Sequence, residues 1–84
     1  MLEDLTSISV EKVVDSRGTL CPVPVLAASK AITGVSAGAV MEVQATDAGA
    51  ASDIPAWARR TGNEFLGTVQ ATGYLRLFIR KARE

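Results

Sequence analysis

Apolar and polar positions alternate along this chain with two periods, and the places where the period changes mark its elements. From Ala39 to Ala45 the period is two: Met41, Val43 and Ala45 point to a core, and Glu42 and Gln44 point to water. From Tyr74 to Arg80 it is two again, with Leu75, Leu77 and Ile79 on one face and Tyr74, Arg76, Phe78 and Arg80 on the other. Residues 64–71 carry Phe65, Leu66, Thr68 and Val69 and predict a third strand, joined to the last by a turn at Thr72-Gly73. Val10, Val13 and Val14 predict a first strand over residues 10–15, ending in the charged turn Ser16-Arg17-Gly18. Between these strands the period lengthens. Val25, Ala28, Ser29 and Ile32 recur at helical spacing, Leu26 widens that stripe, Lys30 points away, and Gly34 is a fitting stop. A second helix begins within residues 46–53 and runs to Thr61, with Gly62 ending it. Pro55 places its own position within about the first turn, and Asp53 caps that helix or lies in its first turn. Trp57 falls in this helix and is assigned to the core.

The predicted order is β-α-β-α-β-β. Strand, helix, strand implies a parallel crossover, and the last two strands form a hairpin. The expected fold is an α+β two-layer sandwich: a four-stranded mixed sheet with two helices on one face. Residues 1–84 form a single domain, with residues 1–9 a flexible N-terminal tail.

The first helix is preceded by Gly18-Thr19-Leu20-Cys21-Pro22-Val23-Pro24-Val25, which holds the only cysteine. Proline suits the first turn of a helix because the amide it lacks would have no partner there. This puts Pro22 at the first helical position and Cys21 at the N-cap. There the positive end of the helix dipole and the Val23 and Val25 amides would favour an anion, so the thiol is expected to be more acidic than a free one. Gly18, Pro22 and Pro24 shape the turn around it. Two plainer readings stand beside this one: a cysteine buried as a small hydrophobe, and a poor structural cap. Asp47 closes the second strand at the sheet edge where helices begin. It reads first as a turn or capping aspartate, and second as a group that orients a partner or tunes the thiol.

Composition narrows the chemistry. Nine basic and nine acidic residues cancel over 84 residues, so no global field draws nucleic acid or an anionic membrane. Arg59-Arg60 and the group Arg76, Arg80, Lys81 and Arg83 form a solvated basic face, with an acidic protein partner as the second reading. No histidine is present, which excludes Cys-His and Ser-His-Asp catalysis within the chain, and one cysteine cannot close a zinc site or an internal disulfide. No metal or cofactor is expected. No signal peptide or membrane-spanning run is visible, and the cytoplasm is the expected compartment, where a free thiol stays reduced.

At Gly18-Thr19-Leu20-Cys21-Pro22-Val23-Pro24 the chain resembles the TusA/SirA family of small sulfur-carrier proteins. The resemblance continues through Ala37-Gly38, Thr46-Asp47, Asp53-Ile54-Pro55 and Leu77-Phe78-Ile79-Arg80-Lys81, covering nearly all of the chain from about Val13. It implies the same two-layer fold and a persulfide on Cys21, accepted from a cysteine desulfurase or rhodanese and passed to an acceptor thiol protein. Such relays serve tRNA thiolation, cofactor sulfur supply or sulfur oxidation, and members also accompany membrane sulfur transporters. The protein would act with partner enzymes rather than as a stand-alone catalyst, because no acid or base beside the thiol is identifiable from sequence. The chain departs from the family at Leu20, where many relatives have arginine. It departs again at Ala48, where the second aspartate of an Asp-Asp-Pro run is replaced and only Asp47 carries over, and at Ala58, where some relatives have a second cysteine. The rival readings are a non-catalytic regulatory or interaction module and a thiol redox sensor.

Overall fold

The computed structural model describes residues 5–82. It contains β1 (Lys12–Asp15), α1 (Val23–Ala31), β2 (Val40–Ala45), α2 (Ala50–Arg60), β3 (Glu64–Ala71) and β4 (Tyr74–Arg80), with short 3-10 turns at Leu5–Ser7 and Ile32–Gly34. The four strands form one mixed sheet in the order β1-β2-β4-β3. β1 runs parallel to β2, as a helical crossover requires, and β4 lies antiparallel to both β2 and β3. The expected β-α-β-α-β-β sandwich is the observed one.

Both helices cover one face of the sheet. Met41, Val43 and Ala45 of β2 and Leu77 and Ile79 of β4 meet Ala28 of α1 and Ala50, Ile54, Trp57 and Ala58 of α2 in one buried cluster. The α2 residues are spaced four, three and one apart, which keeps them on a single helical face. Trp57 is buried in that cluster, as assigned. On α1 the buried residues are Pro24 and Ala28, small enough to let the helix axis approach the sheet. Leu26 corrects the sequence expectation: it is 60% exposed rather than part of the buried stripe.

Two further boundaries differ. α2 begins at Ala50, so Pro55 is its sixth residue and lies inside the helix rather than within its first turn. The start is set upstream, where the Asp47 carbonyl accepts from the Ala50 amide at 3.0 Å. Where the sequence reads as a tail, Leu5–Ser7 wind into a 3-10 turn; residues 1–4 of that expected tail lie outside the described residues.

The sheet face opposite the helices is not a uniformly wet one. Phe78 is fully buried there, and Glu42, expected to face water, is only 4% exposed. Arg76, beside it on β4, donates to both Glu42 oxygens at 3.0 and 3.1 Å and stacks over the Phe78 ring at 5.3 Å. At the far edge β3 carries a bulge between Phe65 and Gly67, and Gly67 holds φ +153° with the Leu5 side chain over it. A β-carbon on Gly67 would lie 2.7 Å from Leu5 Cδ1. Gly67→Ala is therefore expected to cost about 1–3 kcal/mol in urea unfolding, chiefly through backbone strain. Most of that loss persists in Leu5→Ala/Gly67→Ala, since removing the leucine clears the space but not the strain.

Candidate functional site

The segment between β1 and α1 is pinned rung by rung to the end of β2. Ser16 is buried, and its amide and hydroxyl both donate to the Gln44 carbonyl, at 2.9 and 2.6 Å. Gly18, at φ +82°, turns the chain so that its amide reaches Thr46 Oγ1 at 2.8 Å. The Cys21 amide then donates to Asp47 Oδ2 at 2.8 Å. Asp47 Oδ1 accepts from the Gly49 amide at 3.2 Å, so one carboxylate ties the cysteine loop to the entry of α2. Asp47 thus sits at the turn into α2 and at the cysteine loop together. Asp47→Ala is expected to speed hydrogen exchange at the Cys21 amide by about tenfold, with the Ser16 amide unchanged.

Cys21 is exposed, and it stands one residue outside the helix. Pro22 is the N-cap, and Pro24 occupies the early helical place suited to proline. The Cys21–Pro22 peptide bond is cis. The expected anion cradle is absent in the form anticipated. The Val23 amide donates to the Leu20 carbonyl at 2.9 Å, and among the described residues no hydrogen bond joins the Val23 or Val25 amide to the sulfur. Val25 instead packs half-buried against the core.

The thiol instead donates to Asp53 Oδ2 at 3.1 Å. Asp53 lies in the first turn of α2, and the point where a β-carbon on Gly49 would sit is within 3.7 Å of both aspartates. Two carboxylates thus converge beside the sulfur. Their effect on the thiol is opposite to the one expected from a helix terminus. The hydrogen bond to Asp53, partial desolvation and repulsion from the charges of Asp53 and Asp47 push the Cys21 thiol above its ordinary value. Arg17, the nearest basic residue in the sequence, offers no relief. Its guanidinium is paired with Asp15 at 2.9 Å and stacked over Tyr74 at 5.0 Å, and the pairing holds the Asp15 carboxyl down at about 2.

Apolar side chains near Cys21 in the sequence are exposed as well. Leu20 is 73% exposed, Val23 42% and Leu26 60%. Val23 and Leu26 are three apart on α1 and share one helical face, with Leu20 just ahead of the helix. Leu26, expected in the buried stripe, lies on this surface, and Asp53 takes the first-turn place that was one of its two expected positions. The signal for Asp53 was present in Asp53-Ile54-Pro55, together with a topology that brings the start of α2 to the edge holding Cys21. Among the described residues no three histidine, cysteine, aspartate or glutamate side chains gather to hold a metal ion, and no helix is long and apolar enough to cross a membrane.

Residues 12–81 match the family model described as Sulfurtransferase TusA. The chain is 43% identical over 72 residues to the putative sulfur carrier protein YrkF of Bacillus subtilis, covering 86% of this chain and 39% of that protein's length. It is 38% identical over 69 residues to the sulfur carrier protein TusA of Allochromatium vinosum, covering 82% of this chain and 91% of that one. The crystal structure of a SirA-like protein from Desulfitobacterium hafniense superposes with a TM-score of 0.68 at 26% identity, covering 84% of this chain and 97% of the other.

Proposed function

Because the chain belongs to the TusA family of sulfur carriers, we propose that it accepts sulfane sulfur as a persulfide on Cys21 and relays it to a partner protein. The observation that carries this reading is the presentation of the sulfur. The chain's one thiol is exposed on a loop fixed by Ser16, Gly18 and Asp47 contacts, within an apolar surface of Leu20, Val23 and Leu26 suited to transient docking of another protein. In the exchange, Cys21 Sγ bonds to the outer sulfur of a donor persulfide. The donor's sulfur–sulfur bond breaks, and the donor cysteine leaves with the electron pair and ends as a thiol. Cys21 is oxidised to the persulfide level as the donor is reduced, so no external oxidant is needed. The donor would be a cysteine desulfurase or a rhodanese and the acceptor a thiol protein, meeting the carrier in the cytoplasm.

Two observations weigh against the rivals. Pro22, not Cys21, is the N-cap, so a purely structural cap gives no account of the cysteine. Redox-sensing cysteines rely on a readily formed thiolate, whereas the carboxylates here push the thiol above its ordinary value. The test is intact-mass spectrometry of the reduced protein after incubation with thiosulfate and a rhodanese, or with cysteine and a desulfurase. A gain of about 32 Da per sulfur, reversed by a thiol reductant and lost in Cys21→Ser, is expected. A folded protein that gains no sulfur from either system, or a Cys21→Ser variant that still loads, overturns the reading.

A further inference from the structure

We propose that Asp53 is a catalytic residue of the sulfur exchange: its carboxylate takes the proton that Cys21 gives up as Sγ attacks, and delivers it to the departing donor sulfur. This rests on the carrier reading for its physiological meaning, though not for its test.

A sulfur nucleophile must lose its proton before or during attack. The chain has no histidine, and among the described residues the helix terminus expected to stabilise a thiolate makes no hydrogen bond to the sulfur. The thiol points its proton at Asp53 Oδ2, and that proton needs an acceptor during bond formation. Geometry decides which group that is. Asp53 and Asp47 are the charged groups that act on Cys21. Both oxygens of Asp47 are engaged by backbone amides, Oδ2 by Cys21 at 2.8 Å and Oδ1 by Gly49 at 3.2 Å. Asp53 Oδ2 already accepts from the thiol itself at 3.1 Å. Asp47 fixes the backbone of the cysteine while Asp53 meets the reacting atom, so two neighbouring carboxylates serve different ends.

The step balances without a further reactant. As the bond from Sγ to the outer sulfur forms, the thiol proton passes to Asp53 Oδ2. The donor's sulfur–sulfur bond breaks, and its inner sulfur leaves with the electron pair and takes the proton from Asp53. Run in reverse, the path serves discharge: an acceptor thiol attacks the outer sulfur, Cys21 departs with the electron pair, and the proton reaches it through Asp53. The arrangement also keeps the resting sulfur a poor nucleophile except where a sulfur electrophile is held against it.

The experiment measures the rate at which Cys21 reacts with methyl methanethiosulfonate, an uncharged sulfenyl donor, across a range of pH. In that reaction Sγ bonds to the methylthio sulfur, and methanesulfinate leaves with the electron pair. Wild-type protein, Asp53→Asn and Asp53→Ala are compared, each shown folded by circular dichroism. The wild-type rate is expected to be nearly level between about pH 6 and pH 8, because the thiol and carboxylate carry one transferable proton between them. In both variants only thiolate formed beforehand can attack, so the rate is expected to rise about tenfold per pH unit. At about pH 6 the variants should be slower than wild type by about tenfold or more. A wild-type rate that also rises tenfold per unit, whether parallel to the variants or coincident with them, overturns the proposal. So does an Asp53→Ala profile as level as wild type. The probe carries no sulfane sulfur and needs no partner, so failure of sulfur loading and failure of this profile are separate results.

Discussion

Arg76→Met is expected to destabilise the folded protein by about 3 kcal/mol at neutral pH, measured by urea unfolding, because it strands a buried carboxylate. Glu42 is 4% exposed on the sheet face away from the helices, and Arg76 supplies two of its hydrogen bonds, with Gln44 adding a third at 2.9 Å. Burial by itself would raise the Glu42 carboxyl; the hydrogen bonds from Arg76 and Gln44 and the Arg76 charge outweigh it and hold the group below its ordinary value. A depressed folded-state value means that this contribution is present above the unfolded carboxylate value of about 4.3 and is lost as pH falls through the lower folded one. Without Arg76 the burial effect governs, and Glu42 gains stability by taking up a proton. The gap between wild type and Arg76→Met should therefore narrow at about pH 4. Glu42→Leu/Arg76→Met removes both partners and is expected to recover most of the loss. An unchanged gap at acid pH would show that lost packing over Phe78, not the stranded charge, accounts for the effect.

Trp57→Ala is expected to cost about 3–5 kcal/mol, measured by urea or thermal unfolding. For 84 residues the whole stability is about 4–13 kcal/mol, so this one side chain carries a large share of it. Trp57 is 3% exposed and belongs to the buried cluster that holds α2 against the sheet. Asp53 lies four residues earlier, about one helical turn away, so the same anchor sets where its carboxylate meets Cys21. Trp57→Phe keeps a ring in the site and is expected to lose less. If Trp57→Ala unfolds at the same denaturant concentration as wild type, the core has another principal support.

Elements built from period alone were legible in the sequence. Leu75, Leu77 and Ile79 face the core as their alternation indicates, and Trp57 is buried as its place in the second helix indicates. What escaped depended on partners far along the chain. Glu42 looked solvent-facing from its position in the strand, and its burial is offset chiefly by Arg76, 34 residues away. Two prolines spaced Pro22-Val23-Pro24 offer two frames for a helix start. Local preference favoured the first, whereas the helix begins at Val23, with the preceding Cys21 amide tied to Asp47. That shift of one residue removes Cys21 from the cap and spends the Val23 amide on Leu20. The cysteine was legible as the centre of the site; the sign of its environment was not, because Asp53 is 32 residues away and reaches it only through the fold.

The carrier account requires sulfur to leave as well as arrive. Wild-type protein is loaded with isotopically labelled sulfur by cysteine and a desulfurase, freed of the donor, and mixed with an acceptor thiol protein. Both proteins are then followed by intact mass. The account predicts that the label disappears from Cys21 and appears on the acceptor in equal amount, with no label on either protein when Cys21→Ser is used. Label that stays on Cys21 in the presence of every acceptor tried, or reaches the acceptor equally well with Cys21→Ser, would contradict it.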